Sequence, residues 1–421
     1  MGSAAVKAGL ALLLLLPGSV FGAEPAILSW PDCVSLAMRQ NPALAASRRS
    51  LEAGQASYKG SYNGFLPQVS LTNSYRESDS SGSGTLRWSA GAQASLNLWD
   101  MDRFAAIKAS RASLSSAEAG LRQASSALRF NLRRAFAQLL FAQQNVQVSG
   151  MIRDLRRNDA QMVQLRYESG RESKGNMLRA NAQAEQAAAD LAQAERDLRA
   201  AQRALDAQLG IDDFSVVAAT GALEAPGAPA YPEQMAALTV LRPDVAAQEA
   251  AVKSARASLL SARSGLSPKL SLNYGRSFSD TSEFPNGNPA WTFGGTLSLP
   301  IFGDGPTATY FSSTAAKRKL EKAEQDLRTV RNAARIDLED SWAEFAGAGD
   351  QVRVQAALLE AARQRNDEED VRYASGLVSF DNWERVVSDR VGAERQALAS
   401  RRSAVTAMAG WERSLGIGLE E

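Results

Sequence analysis

The chain has 421 residues, 45% of them hydrophobic, with Lys plus Arg at 47 against 46 for Asp plus Glu. That size allows two or three buried cores, and the balanced charge excludes a basic field that would gather nucleic acid along the surface. Histidine is absent and cysteine occurs once, at Cys33, which removes the commonest general base and metal ligand, every Ser/His/Asp or Cys/His arrangement, and any internal disulfide.

Residues 1–23 read as a secretory signal: Lys7, an apolar run over 8–16, a Pro17-Gly18 break, and small residues suited to cleavage near Gly22 or Ala23. Cys33 follows about ten residues beyond that point, too far for an acylated cysteine, so it is expected unlipidated and buried on a helix beginning near Pro31. No later stretch holds the ~18–20 apolar residues of a spanning helix, so any crossing of a bilayer must use strands.

The strands announce themselves by alternation. From 86 to 98, Leu86, Trp88, Ala90, Ala92, Ala94, Leu96 and Leu98 alternate with Arg87, Ser89, Gln93, Ser95 and Asn97. Its counterpart places Trp291, Phe293, Gly295, Leu297, Leu299 and Ile301 against Thr292, Gly294, Thr296 and Ser298. The preceding strands carry Val69, Leu71 and Tyr75, then Leu270, Leu272, Tyr274 and Phe278, with hairpin loops expected over 77–84 and 280–289. A half-buried soluble sheet has the same alternation. Two features favour lipid: strands of about 10 to 13 residues suit an outer-membrane barrel, and Tyr75, Trp88, Phe278, Trp291 and Phe293 cluster towards the loop side like an aromatic girdle.

Two helices of more than 65 residues are expected, from Met101 to about Tyr167 and from Pro306 to about Tyr373, each extending about 100 Å at ~1.5 Å per residue. Past the first turn, Met177, Ala184, Leu191, Leu198 and Leu205 recur every seven residues beside Ala180, Ala187, Ala194 and Ala201. That is a close-packed, left-handed coiled-coil seam. In the second half the small row continues as Val386, Ala393, Ser400 and Ala407. Residues 211–232, rich in Ala, Gly and Pro, read as a linker wrapping the helices.

The chain repeats itself. Gly64, Pro67, Ser70 and Leu71 return as Gly265, Pro268, Ser271 and Leu272, and Pro42-x-x-Ala45-Ala46 returns as Pro243-x-x-Ala246-Ala247 at the same offset. Arg166-Tyr167-Glu168-Ser169-Gly170 returns as Arg372-Tyr373-Ala374-Ser375-Gly376, and Leu209-Gly210 as Leu415-Gly416. The organisation expected is a first repeat over 24–210, the linker over 211–232 and a second repeat over 233–421. The fold class is mainly α with a β-barrel contribution. Four strands leave open edges that hydrocarbon cannot satisfy and are too few for a barrel, so several copies must share one, with helices leaving it as a tube.

These residues resemble the TolC-like outer-membrane efflux proteins over about 28–418. The likeness rests on the opening Leu28-Ser29 to Asn41-Pro42 segment, the Leu66-Pro67 and Ser267-Pro268 approaches to strands, the Leu297-Ser298-Leu299-Pro300-Ile301-Phe302 exit, and the paired Arg-Tyr-x-x-Gly turns. It implies a homotrimer with a twelve-stranded barrel in outer-membrane lipid and a twelve-helix periplasmic tunnel of antiparallel coiled coils. It also implies a periplasmic adaptor, an inner-membrane efflux or secretion transporter, and a passive duct with no cofactor, metal or chemical step.

The resemblance puts Arg166, Tyr167, Gly170, Arg372, Tyr373 and Gly376 at the periplasmic tips, where the tunnel narrows. Many relatives have an aspartate six residues after the tip glycine; this chain has Asn176 and Asn382, leaving Asp381, Glu384 or Glu172 to supply negative charge. Arg166 or Arg372 is expected to tie neighbouring tip helices. The lipid-facing set is Leu71, Tyr75, Trp88, Leu96, Leu98, Leu270, Leu272, Tyr274, Trp291, Phe293, Leu297 and Leu299. The competing reading is a structural periplasmic coiled-coil or adaptor protein without a pore. An enzyme has no glycine-rich phosphate loop or metal cluster to work with.

Overall fold

The structure, a computed structural model, describes residues 26–80, 83–212, 216–280, 288–301 and 307–420. The signal segment, Pro306 and the Phe302 end of the exit motif lie outside them. The elements run β1 (Ala26–Leu28), α1 (Trp30–Gln40), α2 (Pro42–Gly60), β2 (Gln68–Ser80), β3 (Ser83–Trp99), α3 (Met101–Glu168) and α4 (Lys174–Leu209). Then follow β4 (Val217–Ala219), α5 (Met235–Leu238), α6 (Pro243–Ser264), β5 (Lys269–Asp280), β6 (Asn288–Ser298), α7 (Ala308–Ala374) and α8 (Phe380–Ser414).

Local chemistry sets the helix starts. Asn41 Oδ1 accepts from the Leu44 N–H at 3.0 Å, with Pro42 in the first turn of α2. Asp100 Oδ1 accepts from the Asp102 N–H at 3.1 Å to open α3. α3 and α7 have 68 and 67 residues, about 100 Å each. α3 meets α6 near its start, where Ser261 donates to Asp102, and α4 and α8 farther on, where Arg156 donates to Gln183 and Ser388; it also packs on α2, while α7 packs on α6 and α8.

The alanine row of α4 (Ala180, Ala187, Ala194, Ala201) is buried, whereas Met177, Ala184, Leu191 and Leu198 on the other row are half-buried. Short side chains let α4 lie close against α3. Between the two ends of the helices sits the main core. Cys33 from α1, Leu132, Phe136 and Leu139 from α3, Leu205 and Leu209 from α4, and Met408 and Trp411 from α8 meet there. Burial pushes the Cys33 thiol up to about 11.

The segment 211–232 is more structured than its composition suggests. β4 pairs in parallel with β1, Ala26 to Val217 through Leu28 to Ala219, and Val217 and Leu223 join the core. Gln202 Nε2 donates to the Val217 carbonyl at 2.9 Å and Trp342 Nε1 to the Pro229 carbonyl at 3.0 Å.

The other strands form one antiparallel sheet in the order β2-β3-β5-β6. Register carries one apolar face across all four: Tyr75 opposes Trp88, Leu96 opposes Leu272, Tyr274 opposes Phe293 and Leu270 opposes Leu297. The other face holds Ser70, Thr72, Gln93, Ser95, Ser271, Asn273, Thr292 and Thr296. Leu71 is 83% exposed and Trp291 72%, so nothing among the described residues covers the apolar face.

The structure adds detail at two strand ends and corrects one expected loop. A register shift between Asn97 and Trp99 places Trp99, not Leu98, opposite Leu270. The extra residue of a bulge breaks strict alternation at the foot of β3. Leu299 lies one residue past β6, 58% exposed. The first hairpin loop is not 77–84, since pairing continues to Ser80 opposite Ser83 and gives β3 17 residues.

Candidate functional site

Both long helices end in the same turn. The Gly170 N–H donates to the Tyr167 carbonyl at 2.9 Å and the Arg171 N–H to the Arg166 carbonyl at 2.8 Å. In α7 the Gly376 N–H reaches the Tyr373 carbonyl at 3.0 Å and the Leu377 N–H the Arg372 carbonyl at 2.9 Å. This double bond pattern needs a left-handed residue, and Gly170 and Gly376 have φ of 73° and 76°. Ser173 Oγ then caps α4, accepting from the Asn176 N–H at 3.1 Å.

The two turns are fastened together by Arg166 and by Tyr373. Arg166 Nη1 donates to the carbonyls of Tyr373 (2.7 Å) and Ala374 (3.3 Å), and its guanidinium lies 4.5 Å from the Tyr373 ring centroid. The fully buried Tyr373 stacks on Trp383 at 4.5 Å and 9°, and its hydroxyl donates to Glu172 at 2.7 Å. Burial, together with that carboxylate, raises the Tyr373 phenol well above its usual range. Glu172 also accepts from Asn176 Nδ2 (2.7 Å) and the Ser173 N–H (3.0 Å). Burial alone would raise Glu172, but these donors and Arg166 hold it below the ordinary glutamate value.

A second layer lies above. Glu384, 7% exposed, accepts from Arg179 (3.2 Å), Gln183 (2.7 Å) and Ser388 (2.7 Å), with Arg156 3.9 Å away. Desolvation works against its charge, yet these donors and the two arginines keep it below the usual value. Asp370 accepts from Trp383 Nε1 at 2.6 Å and from Asn366 Nδ2 at 2.7 Å. Asp159, buried near Arg156, Asp370 and Arg390, is pushed up to about 7, chiefly by desolvation.

The duplicated motif therefore does different work in its two copies. Arg166 bridges the tips, while Arg372 is exposed and pairs with Glu369 of its own helix at 3.1 Å. Tyr373 is buried and Tyr167 only half-buried. Of the three carboxylates singled out in the sequence, Glu172 and Glu384 are occupied within the protomer. Asp381, its side chain 74% exposed, remains at the surface with Arg179 at 3.3 Å. Asn176 serves Glu172, and Asn382 is exposed. Sequence reasoning missed Trp383, Asp370, Arg156, Asp159 and Arg179. Their one local signal is Trp383, a large aromatic where the first repeat has Met177. No group of acidic, Cys or His side chains among the described residues is arranged to hold a metal, and no described helix is long and apolar enough to cross a membrane.

With this geometry in hand, the relatives are informative. The model of the outer membrane efflux protein family matches residues 33–211 and 237–416, and the chain belongs to that family. Outer membrane protein OprJ of Pseudomonas aeruginosa is 30% identical over 205 residues, 44% of this chain and 40% of that protein. The chain thus aligns with about two fifths of the length of its curated relatives. Among solved structures, CusC superposes with a TM-score of 0.84 at 18% identity, covering 92% of this chain and 91% of that one. The open-state MtrE outer membrane channel of Neisseria gonorrhoeae gives 0.81 at 19% identity, covering 92% and 89%. These likenesses establish the fold: long antiparallel helix pairs carrying four antiparallel strands.

Proposed function

We propose that the protein is a passive outer-membrane exit duct of a tripartite efflux pump or type I secretion system. The observation that carries this is the four-stranded sheet, apolar on one face, polar on the other, unpaired at β2 and β6 among the described residues, and mounted on helices of about 100 Å. In hydrocarbon those edges need partners, so copies of the chain join edge to edge. Three copies make a barrel of twelve strands with the Ser/Thr/Asn face towards an aqueous lumen. Four helices from each copy continue it as a twelve-helix periplasmic tunnel.

The organisation is two repeats, 24–210 and 233–421, joined through 211–232. Cys33, wholly buried, serves packing and not acylation. The tips form the constriction and dock a periplasmic adaptor, behind which an inner-membrane transporter supplies energy. Arg166 holds the closed arrangement within each protomer, and Asp381 contributes the accessible negative charge. The test is single-channel recording in planar bilayers. The wild type is expected to form pores of low conductance and Arg166→Ala pores of higher conductance. Failure of the wild type to form pores refutes the duct, and unchanged conductance in Arg166→Ala refutes the tie.

A further inference from the structure

Beneath the sheet, α3 and α6 enclose a cavity of about 620 Å³ lined by Lys108, Arg111, Lys253, Arg256 and Arg263, over Ala112, Ala257, Leu259 and Leu260. Its orientation follows from its neighbours. Trp99 stands opposite Leu270 in the row that leads into the apolar face, and it contacts Phe104, which contacts Phe65, at centroid distances of 5.4 and 4.7 Å. Phe104, Lys108, Arg111 and Ser115 follow one another at spacings of three and four, so the cations continue the same helix face downwards from this aromatic cluster. Lys253, Arg256, Leu260 and Arg263 do the same on α6.

The charge there is largely uncompensated. Arg256 pairs with Glu324 at 3.2 Å, whereas Lys108, Arg111, Lys253 and Arg263 have no ion-pair partner among the described residues. All five cations are exposed and the two alanines are buried, which makes a cationic rim over an apolar floor. Arg263 lies at the top of α6, and the other four cations descend from about 10 to about 16 Å below the tops of α3 and α6 at ~1.5 Å per residue. If the apolar face of the sheet meets lipid, as proposed above, the rim falls at and just below the headgroups of the adjoining leaflet.

We infer that this groove binds the phosphate headgroup of an anionic glycerophospholipid of that leaflet. The cations take the phosphate while Leu259, Leu260 and the aromatic cluster meet the start of the acyl chains. A free phosphate ion would have no use for the apolar floor or for its continuity with the sheet. The inference rests on reading the sheet as a membrane wall, and the two are tested separately.

The full-length protein is examined by native mass spectrometry from micelles containing phosphatidylglycerol or phosphatidylcholine. The wild type is expected to retain phosphatidylglycerol preferentially. Substituting Lys108, Arg111, Lys253, Arg256 and Arg263 with glutamine is expected to erode that preference by about fivefold per charge removed. Lys108→Arg/Lys253→Arg, which keeps the charge, is expected to preserve it. Equal retention by wild type and the glutamine variant overturns the site, as does displacement of the lipid by millimolar inorganic phosphate. Flotation of wild type with phosphatidylcholine vesicles reports the membrane wall itself. Failure there overturns that reading, whereas normal flotation without phosphatidylglycerol preference overturns the groove alone.

Discussion

Glycines with the same backbone conformation have unequal consequences in this molecule. Gly170 and Gly376 lie in open space at the tips, while a Cβ at Gly210 would stand 2.5 Å from the Gln40 carbonyl oxygen and one at Gly416 2.8 Å from Pro243 Cδ. Alanine at 170 incurs only the left-handed penalty of about 1 kcal/mol, and alanine at 210 must also displace backbone, about 2–4 kcal/mol in all. Thermal unfolding at a fixed scan rate is expected to rank Gly210→Ala well below Gly170→Ala. Asp159 gives a pH dependence. Its carboxyl holds its proton to about pH 7 when folded, against an ordinary aspartate value of 3.8, so the folded state binds more protons between those values. Stability from this group is complete below the lower value and is lost as pH rises through the upper one, on the order of 2–4 kcal/mol. Hydrogen exchange of peptides spanning 155–180 and 366–388 should show tighter tips at mildly acid pH. In Asp159→Asn the tips should stay tight above neutrality.

Among the elements, the sheet and α4 make opposite demands. On the sheet, Leu71 and Thr72 are neighbours on opposite faces. Arginine at 71 is expected to cost roughly 2–4 kcal/mol near mid-membrane and arginine at 72 little, as read from the yield of heat-resistant, membrane-inserted protein. Equal yields would mean that the apolar face does not meet lipid. On α4, the buried Ala194 leaves no room for a larger side chain. Ala194→Leu is expected to destabilise the α3–α4 pair by about 1–3 kcal/mol, whereas Leu191→Ala, on the half-buried row, should weaken contact between protomers more than the fold of one. Comparing dissociation with unfolding in a denaturant series separates the two.

At the scale of the whole molecule, one chain is visibly incomplete. Among the described residues β2 and β6 each have a bare edge, and α7 exposes Ile336, Val354 and Leu358 along a flank that no other described helix covers. Mass measurement in detergent is expected to give a homotrimer, and a stable monomer would leave the sheet edges unexplained. The duplication also shows at this scale. Asn41 Nδ2 donates to the Gln208 carbonyl at 2.9 Å, and Arg242 Nη1 donates to the Ser414 carbonyl at 3.0 Å. The residue before each proline thus ties down the strand-bearing arm beside the equivalent Leu-Gly helix end, with different side chains doing the same job.

The sequence alone determined whatever rests on short-range periodicity and backbone preference. Strand alternation, the heptad rows of α4, the long helices and the glycine turns at Gly170 and Gly376 depend on residues a few positions apart, and each is readable without knowing what lies opposite. Only the tertiary structure decided the rest. The bulge that exchanges Leu98 for Trp99, the pairing of β1 with β4 inside an apparently formless linker, and the division of labour between Arg166 and Arg372 all turn on partners far along the chain. Two copies of the Arg-Tyr-x-x-Gly motif acquire different roles because Tyr373 has Trp383 and Glu172 beside it and Tyr167 does not. Packing across the repeat breaks a symmetry that the motif itself preserves.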